Sequence, residues 1–221
     1  DLDQLSSTAL ELNGGSITDA NGNPAILVLP QPGTAGSLSD NADLIIDTNA
    51  GITSTIRSSE SLSLPDGVEN LILTGTANIR GIGNNLDNRI EGNAGKNRLN
   101  GKGGSDTLIG KESKDRLTGG PDDDTFIYES INDSGTTRAT RDQITDFTAD
   151  DTIDLSRIDA DPNTSGDQAF VFIGSDRFSA IGQARFTSKG LLSLNIDDDL
   201  FADFQINLKG VNDLPDNSLI L

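Results

Sequence analysis

Three aspartates, Asp106, Asp115 and Asp124, stand nine residues apart, and Asn88 and Asn97 occupy the same register before them. Side-chain oxygens repeated at a fixed interval suit one kind of chemistry, the collection of a hard cation such as Ca2+ by carboxylates, amide oxygens and turn carbonyls. Other chemistries are poorly served. The chain has no histidine and no cysteine, so the usual neutral-pH general base, thiolate nucleophiles and the commonest transition-metal ligand are missing. Paired carboxylates suited to glycoside hydrolysis are available among 35 acidic residues, but with no Trp and a single Tyr there is little to stack a sugar ring upon. No catalytic residue is assigned, and the reading is a non-enzymatic chain.

The aspartates belong to a repeat that also supplies the means of positioning them. Residues 83–127 divide into five rows of nine: GNNLDNRIE, GNAGKNRLN, GKGGSDTLI, GKESKDRLT and GGPDDDTFI. Glycine opens each row, at 83, 92, 101, 110 and 119. Position six carries Asn88, Asn97, Asp106, Asp115 and Asp124, and position eight carries Ile90, Leu99, Leu108, Leu117 and Phe126. Positions one to six are expected to turn, with glycine where the backbone needs positive φ or close approach. Positions seven to nine form a short strand whose middle side chain points inward. Stacked rows then bury a continuous core that no single row could close alone. Past residue 127 the nine-residue period is not evident. Short apolar segments follow at Gln143–Phe147, Thr152–Leu155, Ala169–Ile173, Gln183–Phe186, Leu191–Ile196, Asp203–Leu208 and Leu219–Leu221. These are expected to form antiparallel strands folded over the open end, because a solenoid's last turn exposes its core and an unpaired edge. A helical turn around Leu155–Ala160 is a further expectation. The fold class is all-β: a parallel β-roll, a nonapeptide solenoid, capped by an antiparallel β C-terminal region and preceded by a small β N-terminal segment. The expected boundaries are 1–57, 58–127 and 128–221.

The rows resemble the RTX (repeat-in-toxin) proteins and their G-G-x-G-x-D-x-U-x nonapeptide, a calcium-binding β-helix repeat. The resemblance extends upstream through Leu64-Pro-Asp-Gly-Val-Glu-Asn-Leu-Ile-Leu-Thr-Gly, which looks like a lead-in segment. Downstream, Asp142-Gln-Ile-Thr-Asp-Phe, Asp151-Thr-Ile-Asp-Leu-Ser and Ala202-Asp-Phe-Gln-Ile look like the cap of serralysin-type proteases and alginate epimerases. The resemblance implies Ca2+ held between turns two rows apart. Carried over, it implies the Asp106 and Asp124 carboxylates with carbonyls near Gly101, Gly103, Gly120 and Asp122, and Asp115 in the neighbouring pair. Asn88, Asn97 and Asp142 are further candidates. It also implies extracellular localisation, and a C-terminal Asp216-Asn-Ser-Leu-Ile-Leu221 read by type I secretion machinery. No cleaved N-terminal signal is evident at Asp1-Leu-Asp-Gln.

The rows depart from that pattern in one direction: where carboxylate or bare glycine is expected they carry Asn or Lys, with lysines at 96, 102, 111 and 114. Stacked carboxylates repel unless neutralised, and a lysine can supply the positive charge covalently. The expectation is a partly degenerate roll that holds one or two ions and folds with reduced calcium dependence.

Charge is unevenly distributed. Residues 1–79 carry net −9, residues 80–118 net +3 and residues 119–221 net −13, within a total of −19. The balance argues against nucleic acid as a partner, and no apolar stretch is long enough to span a bilayer. The basic middle suggests an acidic polysaccharide or cell surface, met by a column of position-seven arginines, Arg89, Arg98 and Arg116. In the N-terminal stretch, strands are expected at Ala9–Leu12, Ser16–Thr18, Ala25–Leu29 and Leu44–Ile46, similar to the closing strands of immunoglobulin-like adhesin modules. Between the second and third, Asp19, Asn21 and Asn23 read as a hairpin turn.

Overall fold

A computed structural model describes residues 54–221, and the expected N-terminal strands and the turn at Asp19 lie outside the described residues. The strands are β1 (Thr55–Ser58), β2 (Leu62–Ser63), β3 (Asn70–Leu73), β4 (Arg80–Ile82), β5 (Arg89–Glu91), β6 (Arg98–Asn100), β7 (Thr107–Ile109) and β8 (Arg116–Thr118). They continue with β9 (Thr125–Ile127), β10 (Asp142–Ile144), β11 (Thr152–Asp154), β12 (Val171–Phe172), β13 (Gln183–Thr187), β14 (Leu191–Asn195), β15 (Phe204–Leu208) and β16 (Leu219–Ile220). No helix occurs among the described residues.

Each nine-residue row contributes one turn and one strand, and alternate rows fall on opposite sheets. One sheet runs β1-β3-β5-β7-β9-β11-β16, and the other runs β12-β13-β14-β15-β10-β8-β6-β4-β2. Residues 18 apart therefore stack in parallel register, Arg89 on Thr107 on Thr125 in one sheet and Arg80 on Arg98 on Arg116 in the other. Three-residue strands suffice because only position eight must face inward. Ile90, Leu99, Leu108, Leu117 and Phe126 are all buried to 1% exposure or less. Burying each such side chain contributes roughly 1.5–3 kcal/mol, so cohesion comes from repetition rather than from any one rung. Row 74–82 places Gly81 at this position, where a Cβ would press on Leu71, Ile90 and Leu99. Their larger side chains already fill the space.

The roll does not end at residue 127. Gln143 pairs in parallel with Arg116, and Thr152 with Thr125, a spacing of 27 residues instead of 18. An insertion of nine residues, 128–136, interrupts the period, which then resumes for two further rungs. Ile144 and Ile153 take position eight, both fully buried, and Asp142 and Asp151 take position six. The expectation of antiparallel strands after residue 127 is thus corrected for β10, β11 and β16, which extend the parallel sheets. Strand β12 also pairs in parallel, with β13. Only β13, β14 and β15 form an antiparallel meander, joined to the roll where β15 lies parallel to β10. Tyr128 meets Phe204 edge-on at 5.1 Å beneath this junction. At the other end, β1 crosses the expected boundary at residue 57 and pairs with β3. The expected helical turn near Leu155 is a tight turn instead. The Asp154 carboxylate there accepts the Ser156 N–H at 3.0 Å, competing with helix formation.

Candidate metal centre

Position-six side chains point into the turns and are buried: Asn88, Asn97, Asp106, Asp115, Asp124 and Asp142 are each 2% exposed or less. They form two ladders. In one, the Asn88 N–H donates to Asp106 Oδ1 at 2.7 Å, Asp106 N–H to Asp124 Oδ1 at 2.8 Å, and Asp124 N–H to Asp151 Oδ1 at 2.9 Å. In the other, Asn97 N–H donates to Asp115 Oδ1 at 2.6 Å, and Asp115 N–H to Asp142 Oδ1 at 2.6 Å. One carboxylate oxygen per aspartate thus holds the preceding coil in register. Glycine at position one is what lets the other oxygen fit. A Cβ at Gly101, Gly110 or Gly119 would collide with Oδ2 of Asp106, Asp115 or Asp124.

Those second oxygens separate the rungs into two classes. Oδ2 of Asp106, Asp115, Asp124 and Asp142 is buried with no hydrogen-bond partner. A buried carboxylate oxygen left unpaired is costly, and such an orphan calls for a cation. The asparagine rungs carry no such debt. Asn88 Oδ1 accepts the Asn84 N–H at 2.7 Å, and its Nδ2 donates to the carbonyls of Val68 and Glu69, both at 3.2 Å. Asn97 Oδ1 accepts the Asn93 N–H at 2.7 Å, and its Nδ2 donates to Ile79 O and to Asn93 Oδ1. Asn84 and Asn93 cap further turn carbonyls, those of Pro65 and Val68 and of Thr74 and Ala77. In these rows amide N–H groups occupy the turn carbonyls that a cation would otherwise gather. The side-chain oxygens of Asn88 and Asn97 each already accept a backbone N–H.

The lysines do not perform the expected neutralisation. Lys111 pairs with Glu91 at 3.1 Å, and Lys114 donates to the Arg138 carbonyl at 2.6 Å. Lys96 and Lys102 are exposed. Among the described residues, no ion pair reaches a position-six aspartate. Lys102 and Lys111 do occupy glycine-like backbone, with φ of 85° and 66°.

The metal-free electrostatics follow from burial. Desolvation pushes the carboxyls of Asp106 and Asp124 up to about 7, and neighbouring acids add to the shift. Desolvation likewise raises Asp115 to about 8. Asp142 is raised too, by burial and then by the Asp115 charge. Its neighbour Tyr128 is fully buried and held in its protonated form by burial and by the Asp142 and Asp115 charges, so its hydroxyl stands ready to donate to the Asp142 carboxyl. Burial thus opposes the ionised form of all four carboxyls unless a cation compensates it.

The residues present fit calcium. Two pairs of orphan oxygens lie on successive coils, Asp106 with Asp124 and Asp115 with Asp142. Among the described residues, no hydrogen bond ends on the carbonyl oxygens of Gly101, Gly103, Gly120 or Asp122. Nor do three or more acidic side chains converge in one metal-sized group, so any cation must complete its shell from turn carbonyls. This is the mixed oxygen set that calcium accepts. Asp142 stands beside Asp115 as fully as Asp124 beside Asp106, and the signal for it was present: Asp142 and Asp151, like Ile144 and Ile153, are nine residues apart. Asp151 and Asp146 were missed in the sequence. Asp151 Oδ2 is taken by the Thr148 N–H at 2.7 Å, and Asp146 accepts from the backbone of Gly119 and Gly120. The expected arginine column is corrected. Arg89 lies on the other sheet, paired with Glu91 at 2.8 Å, and the residue aligned with Arg98 and Arg116 is Arg80.

A search of curated proteins finds no match to the chain. The family model described as Peptidase M10 serralysin C terminal matches residues 69–221, well over half of the chain. That span takes in the coils with orphan carboxylates, the inserted loop and the antiparallel meander. The chain therefore belongs to the serralysin C-terminal family, a non-catalytic, calcium-binding β-roll of the RTX type found in secreted proteins.

Proposed function

We propose that this chain is an extracellular folding module in which calcium closes only the downstream part of the roll. The observation that carries the reading is the division of position six. Asparagine rungs are closed by their own amides, whereas Asp106, Asp115, Asp124 and Asp142 each keep a buried oxygen without a partner. Asp106 with Asp124 takes one ion, its shell completed by turn carbonyls such as those of Gly101, Gly103, Gly120 and Asp122, and Asp115 with Asp142 takes a second with carbonyls of its own turns. Where calcium is scarce, the downstream coils stay loose because ionised buried carboxylates cannot be accommodated. Millimolar calcium outside the cell turns binding energy into folding energy. Such a switch supports passage through a type I secretion channel, since the chain enters loose and sets once outside.

The terminal segment Asp216–Leu221 is the proposed signal for that machinery. In the closed roll strand β16 of this segment is engaged with β11, so on this reading a receptor must read it while the chain is still open. Deletion of residues 210–221 is expected to abolish export from cells carrying a type I system. Normal export of the truncated chain would remove the signal assignment. The calcium reading is tested separately by calorimetric titration of the full chain: two ions support it, and no heat of binding opposes it.

A further inference from the structure

We propose that the outer face of the sheet containing β4, β6 and β8 is a binding groove for a linear acidic polysaccharide. Arg80, Arg98 and Arg116 lie side by side in exact parallel register on these three strands, and all three are exposed. Adjacent parallel strands lie roughly 4.8 Å apart, so three guanidinium groups repeat at about that interval along the roll axis. Like charges stacked directly across a sheet are destabilising. Among the described residues, none of the three is in an ion pair, although Arg89, Lys111 and Arg157 all find glutamates. Scarcity of acid cannot explain this in a chain of net charge −19. The five strands β2, β4, β6, β8 and β10 contribute a single acidic residue, Asp142, which is completely buried.

The column also lines a recess. A cavity of about 520 Å³ is bordered by Arg80, Arg98 and Arg116 with Lys96 and Lys114. A second, of about 720 Å³, shares Lys114 and Gln143 with it and adds Arg138, Arg141 and Lys189. The two make one basic track running from the roll onto the cap. Guanidinium groups at a regular interval suit carboxylate or sulfate groups borne once per sugar, through paired N–H donors. The neutral side chains beside them, Asn100, Thr118 and Gln143, suit sugar hydroxyls. The strands of this face carry no aromatic ring, so it lacks the stacking platform that single-stranded nucleic acid uses.

Asp115 and Asp142, the proposed holders of the second ion, stand in the walls of these two recesses, so the test fixes calcium to keep the two readings apart. The full chain is held in saturating calcium with its fold followed by circular dichroism. It is titrated with oligomers of mannuronate, which bear only carboxylate, and, separately, of carrageenan, which bear only sulfate, the two arms distinguishing the anion. Arg80→Gln, Arg98→Gln and Arg116→Gln combined should weaken binding at least tenfold without altering the dichroism. The dependence of log affinity on log salt should become shallower by about three, one released counterion per arginine. Arg57→Gln, on the opposite sheet, should change neither. The proposal fails if neither oligomer binds at low salt, if the triple variant binds as well as the parent, or if single-stranded DNA binds and both glycans do not. A loss of calcium-dependent folding with glycan binding intact would count against the calcium reading alone.

Discussion

At position six the choice between Asn and Asp decides what closes a turn. An amide brings its own donors and satisfies the carbonyls above it, while a carboxylate brings only acceptors and must borrow a cation. Asn88→Asp is therefore expected to destabilise the chain in chelator by about 1–3 kcal/mol, since the Val68 and Glu69 carbonyls lose their donor and a charge is buried. Calcium should restore most of the loss, and denaturant midpoints with and without calcium read both effects. In the opposite sense, Asp115→Asn should remove one ion from the calorimetric stoichiometry. Proton linkage supplies a further check. Asp106 and Asp124 are raised to about 7 and Asp115 to about 8 in the metal-free fold, against roughly 4 in an unfolded chain. The fold then binds more protons than the unfolded chain. This contribution to stability is complete below about pH 4 and is lost as pH rises through 7 to 8. In chelator, the melting temperature should fall between pH 5 and pH 8, and a rise over that interval would contradict the assignment. The carboxylate repeat was legible in sequence because glycine and aspartate keep their spacing. The role of the asparagines was not, because an amide's two faces are told apart only by what they touch.

Each strand from β5 to β11 has three residues and one inward apolar side chain, so an element's stability depends on the coils on either side. Leu117→Ala, at a fully buried position between Leu99 and Ile144, is expected to cost about 2–5 kcal/mol in saturating calcium, measured by denaturant unfolding. The five rungs from 83 to 127 could be read directly from their period. The rungs at β10 and β11 could not, because the inserted residues 128–136 keep the nine-residue phase but this row and the two after it open with Tyr128, Thr137 and Asp146 in place of glycine. What survives is the separation of Asp142 from Asp151 and of Ile144 from Ile153. The strand segments of the cap were placed from their apolar content, but parallel and antiparallel pairing look alike in a three-residue stretch. Partner strands distant in sequence, such as β10 and β15, decide that question. The arginine column was misassigned for a related reason. Row position fixes which way a side chain points, whereas alternation of rows between two sheets fixes which side chains are neighbours.

Over the whole molecule, the roll changes character along its axis, from coils closed by amides to coils with unsatisfied carboxylates, followed by a meander and the final strand β16. Calcium on this account completes a fold whose upstream coils already hold together. The most direct measurement is hydrogen exchange of the full chain in chelator and in millimolar calcium, paired with calorimetric stoichiometry. The account predicts that amides of β3 to β6 stay protected in chelator, that β7 to β11 gain protection only with calcium, and that two ions bind. Uniform loss of protection throughout the roll in chelator, with many strongly coupled ions, would contradict it. So would a chain equally protected in both conditions that binds no calcium.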